Sequence, residues 1–153
     1  MIKIQQKNFD VKAELEALKG NNHSIGGICS FIGLVREMAE NKKLSAMTLE
    51  QYPGMTEKVI KKIENEALQR WSLHSTLIIH RFGRLKPGEQ IVLVAAASAH
   101  REVTFEACHF LIDFLKTRAP FWKLEETQDG NSWVAARDSD ETAVANWKHP
   151  KQV

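Results

Sequence analysis

The chain has 153 residues, 43% hydrophobic and 26% charged, with 8 Gly and 4 Pro, which leaves room for one well-cored domain and excludes a disordered or fibrous chain. A formal charge of +2 lacks the basic excess of a general nucleic-acid binder, and the longest apolar run, Ile91 to Ala97, is far short of the roughly 20 residues that cross a bilayer. The opening MIKIQQKNFDVK has no apolar leader core, so the expected compartment is the cytoplasm.

In chain order, Asp10 caps a short helix whose Val11, Leu15 and Leu18 share a face, and Gly20 ends it. The run from Ser24 to Arg36, rich in Ile, Val and Phe and broken by glycines, reads as a bent strand. The polar EMAENKKLS reads as a loop and MTLEQY as a second strand. From Thr56 to Trp71 the positions Val59, Ile60, Ile63, Ala67 and Leu68 follow the 3.6 period of a helix.

Strands over Thr76 to Leu85 and Gln90 to Ser98 flank Lys86-Pro87-Gly88-Glu89, where Pro and Gly occupy the central positions of a type II turn. A second long helix covers Glu102 to Arg118 and stops at Pro120. FWKLEET and SWVAAR then form a hairpin closed by Asp129-Gly130, which sets Lys123 opposite Ala136. Ser139 or Asp138 caps a last short helix reaching Trp147. Strands and helices do not alternate as repeated βαβ units, so the fold class is α+β: one domain over 1–153, with two hairpins, two long helices and a polar tail from 148.

Cys29 and Cys108 are far apart in sequence and lie inside apolar segments; they read as buried thiols, not as a disulfide framework. His74 and His80 would stand about 20 Å apart on a straight strand, so no metal pair emerges. Cations end four separate segments: Arg36, His100 with Arg101, Lys116 with Lys123, and Arg137. His100 and Arg101 sit where a buried strand gives way to a helix, whose free N–H groups and positive dipole end attract anions. Lys116 and Lys123 flank Pro120, so only a chain reversal brings them together. Converging and partly buried, they raise the cost of charging each other, which suits one of them to act as base or nucleophile. Gathered around one hollow, these cations would fit a small phosphorylated or carboxylated ligand better than a polymer. Separate surface lysines and a solvated helix start remain the plainer alternative at this stage.

The segments FIGLVR (Phe31 to Arg36), TLEQYPGMTEK (Thr48 to Lys58), IIHRFGRLKPGE (Ile78 to Glu89), SAHREVTFEA (Ser98 to Ala107), DFLKTRAPFWKLE (Asp113 to Glu125) and WVAARDSD (Trp133 to Asp140) together resemble the large, catalytic subunits of molybdopterin synthase. The resemblance runs from about Gly26 to Trp147. It implies an α/β-hammerhead fold and an enzyme that builds the dithiolene of molybdopterin from cyclic pyranopterin monophosphate, without a metal or other cofactor in its own site. Sulfur would arrive as a thiocarboxylate on the C-terminal Gly-Gly of a small ubiquitin-like partner, two copies of the large subunit forming the centre of a heterotetramer. By motif position, Lys116 and Lys123 would be catalytic, and Arg36, His100, Arg101 and Arg137 would bind substrate, some from the neighbouring copy. Leu34, Val35, Leu124 and Glu125 would add wall or backbone contacts. A noncatalytic module holding a ubiquitin-like partner or an anionic metabolite is the alternative, although such a module would have no need of both lysines.

Overall fold

A computed structural model of the chain describes residues 1–134 and 138–147, with side chains in the second stretch from 142 onward. The elements are β1 (Ile2–Gln5), α1 (Val11–Lys19), β2 (Gly27–Leu34), β3 (Met38–Ala39), β4 (Lys42–Gln51), α2 (Met55–Arg70), β5 (Ser75–Arg81), β6 (Gly83–Leu85), β7 (Gln90–Ser98), α3 (Arg101–Arg118), β8 (Phe121–Thr127), β9 (Gly130–Val134) and α4 (Asp138–Ala145). One sheet has the order β1-β5-β7-β2; the other runs β3-β4-β8-β9, with β6 also paired to β4. This is the α+β class that the sequence predicts.

The first sheet is apolar on both faces, which explains why β5 and β7 read as near-continuous hydrophobic runs. Ile78, Val92, Val94 and Ala96 pack with Ile60 and Ile63 of α2 and Phe110, Leu111 and Phe114 of α3. Their alternates Leu77, Ile79, Leu93 and Ala95 pack with Phe9 and with Val11, Leu15 and Leu18 of α1. Asp10 caps α1 as expected, its carboxylate accepting from the Ala13 N–H at 3.1 Å. Trp71 and Trp147 close one end of the main core edge-on to Phe110, at 5.3 and 5.5 Å between centroids. Trp122 and Trp133 stay exposed.

The second sheet has its own small core of Val35, Leu44, Met47, Leu49 and Leu85. The chain enters it at Gly83, whose φ of 96° lets it leave β5 and pair with β4. The strand expected over Thr76 to Leu85 is therefore split: β5 pairs with β7, β6 with β4. The turn after it is as predicted, with Gly88 at φ 88° and the Glu89 N–H donating to the Lys86 carbonyl at 3.1 Å.

Two further local expectations are corrected, and one strand was missed. EMAENKKLS is no loop: β3 and the start of β4 pair as a hairpin, turning through Glu40 and Asn41, both at positive φ, as a tight two-residue turn requires. The β8–β9 hairpin pairs Thr127 with Gly130, so its loop is Gln128-Asp129 and Lys123 lies opposite Val134, not Ala136. β1 was not anticipated; the alternation of Ile2 and Ile4 was its only local sign, and its pairing is with β5, in parallel. No helix among the described residues is long and apolar enough to cross a membrane.

Candidate active site

A cavity of about 720 Å³ opens where the two sheets meet the end of α3, within the size range of small-molecule sites. Three segments bring cations to it. β2 carries the chain past a bulge at Gly33/Leu34 to Leu34, Val35 and Arg36, all at the cavity. Val35 is buried, its N–H donating to the Glu89 carbonyl at 2.9 Å and its carbonyl accepting from Gly88 at 2.8 Å; this ties the stem of Arg36 to the Pro87-Gly88 turn.

The last turns of α3 supply Lys116 and Thr117, and after the reversal at Pro120 β8 supplies Phe121, Lys123 and Glu125. Alternation along β8 aims these three at the cavity and turns Trp122 and Leu124 to the other face, where Leu124 lies opposite Trp133. Leu124 therefore does not line the cavity. Lys116 and Lys123 share it, as a chain reversal requires, but both side chains are exposed, so the partial burial expected of them is absent from the single chain.

His100 and Arg101 stand elsewhere. His100 is the N-cap residue of α3 without a side-chain capping bond; Ser98 does not cap either, its hydroxyl donating to the Ser72 carbonyl at 2.9 Å. The helix rise puts Arg101 about 22 Å from Lys116, and neither His100 nor Arg101 borders the cavity. Arg137 lies outside the described residues. Within one chain the cavity thus unites Arg36, Lys116 and Lys123, while the helix-start pair faces solvent at the far end of α3.

His80, weighed in the sequence only as a metal ligand, also borders the cavity. Half-buried His80 lies flat on Phe121, 3.6 Å between ring centroids and 13° between planes, with Nδ1 2.8 Å from the Arg81 carbonyl oxygen. Desolvation, aided by the charge of Lys123 and opposed by the Arg81 bond, pushes its imidazole down to about 4. Among the described residues no cluster of three His, Cys, Asp or Glu is placed to hold a metal ion. Cys108 is buried, its thiol pushed up to about 12 by desolvation and by Cys29 beside it.

Fold and cavity define an α+β protein with a partly apolar hollow bordered by Arg36, Lys116, Lys123 and Glu125. Comparison with known proteins gives its family. The family model described as MoaE protein matches residues 4–118. The molybdopterin synthase catalytic subunit of Pseudomonas aeruginosa is 51% identical over 147 residues, covering 96% of this chain and 98% of that one; that of Ralstonia nicotianae is 51% identical over 146 residues, covering 95% and 83%. Among solved structures, the molybdopterin biosynthesis MoaE protein of Burkholderia ambifaria superposes with a TM-score of 0.84 at 48% identity, covering 97% of this chain and 98% of that one. Molybdopterin synthase from Staphylococcus aureus gives 0.81 at 30% identity, covering 87% and 96%. The chain belongs to the MoaE protein family, the family of molybdopterin synthase catalytic subunits.

Proposed function

We propose that this chain transfers sulfur from the C-terminal thiocarboxylate of a small ubiquitin-like partner to cyclic pyranopterin monophosphate, forming the dithiolene of molybdopterin in the cytoplasm. The observation that carries the reading is that Lys116 and Lys123, on either side of the Pro120 break, line one cavity with Arg36 from a separate segment. A slender peptide end and a phosphorylated pterin are both anionic, and fixed cations in a confined hollow stabilise charge that develops as the thiocarboxylate sulfur attacks. Lys116 holds the carbonyl end of the tail, and Lys123 assists proton transfer at the pterin. Val35 and Glu125 complete the wall beside these cations.

His100 and Arg101 enter the same reading through a second copy of the chain. Too far along α3 to serve their own cavity, they serve the neighbour's in a central homodimer, with Arg137 as a further phosphate ligand and a small subunit at each end. A structure of the two subunits of molybdopterin-converting factor in complex, from Helicobacter pylori, shares this fold with a TM-score of 0.73 at 21% identity. The test is reconstitution: the purified chain, the thiocarboxylated partner and the pterin substrate, assayed for dithiolene. Product supports the reading; partner binding without product supports the noncatalytic module instead.

A further inference from the structure

Glu89 does not border the cavity, yet its main chain and its side chain both hold the backbone beside one of the cavity's cations. The β2–β7 ladder ends at Leu34, just past the Gly33/Leu34 bulge. What holds Val35 beyond it is the turn before β7: the Val35 N–H donates to the Glu89 carbonyl at 2.9 Å, and its carbonyl accepts from the Gly88 N–H at 2.8 Å. That turn is closed from both sides. The Glu89 N–H donates to the Lys86 carbonyl at 3.1 Å, and one Glu89 carboxylate oxygen accepts from the Lys86 N–H at 2.6 Å. The other oxygen lies 3.6 Å from the guanidinium of buried Arg81, which itself donates to the Gln90 carbonyl at 2.8 Å and the Gln6 carbonyl at 3.0 Å. On the far side of Arg36, the Glu37 carbonyl accepts from the Leu44 N–H at 2.6 Å. Arg36 is thus carried on a short span between two fixed points.

Resting on the functional reading above, in which Arg36 binds the pterin substrate, we propose that Glu89 is a positioning residue for Arg36. Its carboxylate braces the Lys86–Glu89 turn against Arg81, and the turn sets where the backbone of Val35 presents Arg36 to the cavity. A guanidinium recognises an anion through a rigid fork of donors, so its grip depends on where its stem begins. A displacement of about 1 Å is enough to matter at such a site. Arg81, tied to two backbone carbonyls, gives the carboxylate a fixed point to lean on.

The test uses the full chain with its small partner and compares Glu89→Ala, Glu89→Gln, Arg36→Ala and the double variant of Glu89→Ala with Arg36→Ala. Glu89→Ala is expected to raise KM for the pterin about tenfold with kcat within about twofold, the pattern of lost substrate binding. Direct titration with the pterin, which needs no turnover, should show the same rise in Kd. Glutamine keeps an acceptor for the Lys86 N–H, so Glu89→Gln should stay within about threefold of wild type. In the Arg36→Ala background, Glu89→Ala is expected to add less than about twofold, because the brace has nothing left to aim. A side chain that merely stabilised the fold would add its full effect there. Hydrogen exchange of the Val35 amide should rise at least about tenfold in Glu89→Ala, while the β5–β7 amides keep wild-type protection.

Wild-type KM and Kd in Glu89→Ala, equal impairment by Glu89→Gln, full additivity in the double variant or unchanged Val35 exchange would each overturn the proposal. If titration and exchange come out as expected while the wild-type chain makes no dithiolene, it is the functional reading that fails and the positioning of Arg36 that stands.

Discussion

Leu49 and Lys123 face each other directly across the β4–β8 ladder. Leu49 is 1% exposed and packed with Val35, Leu44, Met47 and Leu85, so burial fixes the register of this pair. With Leu49 held in the core, a slip of one residue between the strands would turn Lys123 to the face that carries Trp122 and Leu124. The aim of one proposed catalytic lysine is thus set by the core of the second sheet, and that of the other by the last turns of α3.

Replacing either lysine by alanine is expected to lower dithiolene formation at least about 100-fold. Both side chains are exposed, so the melting temperature should stay within about 2 °C of wild type. Activity and thermal unfolding measured on the same preparations check this, and full activity in both variants would remove the lysines from the mechanism.

A site shared between two copies makes a sharper prediction. Lys123→Ala and Arg101→Ala are each expected to be nearly inactive alone. In a dimer formed from one of each, one cavity lacks both groups and the other has both. Random mixing should therefore restore about a quarter of wild-type activity. No recovery, with exchange of copies confirmed by mass, would place Arg101 outside the neighbour's site.

Gly26 is the close-approach glycine beside the helix-start pair. Its N–H donates to the Ser98 carbonyl at 2.9 Å, and a Cβ there would fall 2.0 Å from the Ala99 carbonyl oxygen. Backbone cannot yield as a side-chain tip can, so Gly26→Ala is expected to cost about 1–3 kcal/mol and to shift the strand end that leads into His100. Melting should fall by roughly 2–4 °C for each kcal/mol at this chain length; an unchanged melting temperature would contradict the packing described.

Glu64, 2% exposed, accepts from the Met1 ammonium at 2.9 Å, from Lys61 at 3.0 Å and from the Thr76 hydroxyl at 2.9 Å. Burial pushes its carboxyl up, but these donors outweigh it and hold the group below its ordinary value of 4.5. A depressed folded value means stability that is fully present above the unfolded value and lost as pH falls through the folded one. Glu64→Gln should therefore melt below wild type at pH 7, by a loss of about 2–4 kcal/mol. The gap should narrow as the pH drops below the ordinary carboxylate range. A gap independent of pH would show that the charge of Glu64 is not what matters.

What was legible in the sequence was what neighbouring residues decide. The 3.6 period of α2, the stop of α3 before Pro120, the Asp10 cap and the Pro87-Gly88 turn are local and appear as read, except that Leu68 of α2 is exposed. β1 is a short strand held by a distant partner, Ile2 through Ile78, and little in its own composition marks it; β3 pairs locally, Met38 with Lys43, but its turn through Glu40 and Asn41 has no glycine to signal it. The β8–β9 loop was misplaced because Asp-Gly signals a turn without fixing which residues pair; here Gly130 is a strand residue at φ 111°. At the site, the Lys-Thr-Arg-Ala-Pro-Phe-Trp-Lys block made the two lysines visible. His80 was not, because its setting comes from Phe121 on another strand. The separation of Arg101 from Lys116 follows from helix rise alone and was readable, but its consequence, a cavity that one chain cannot complete with those residues, required the cavity to be located.

The most direct measurement of the central claim is a single-turnover assay of the purified chain with its thiocarboxylated small partner and cyclic pyranopterin monophosphate, run beside Lys116→Ala and Lys123→Ala. Dithiolene formed by the wild-type chain and by neither variant is the predicted result. No dithiolene from the wild-type chain, or equal amounts from all three, would contradict the assignment of the chemistry to this cavity.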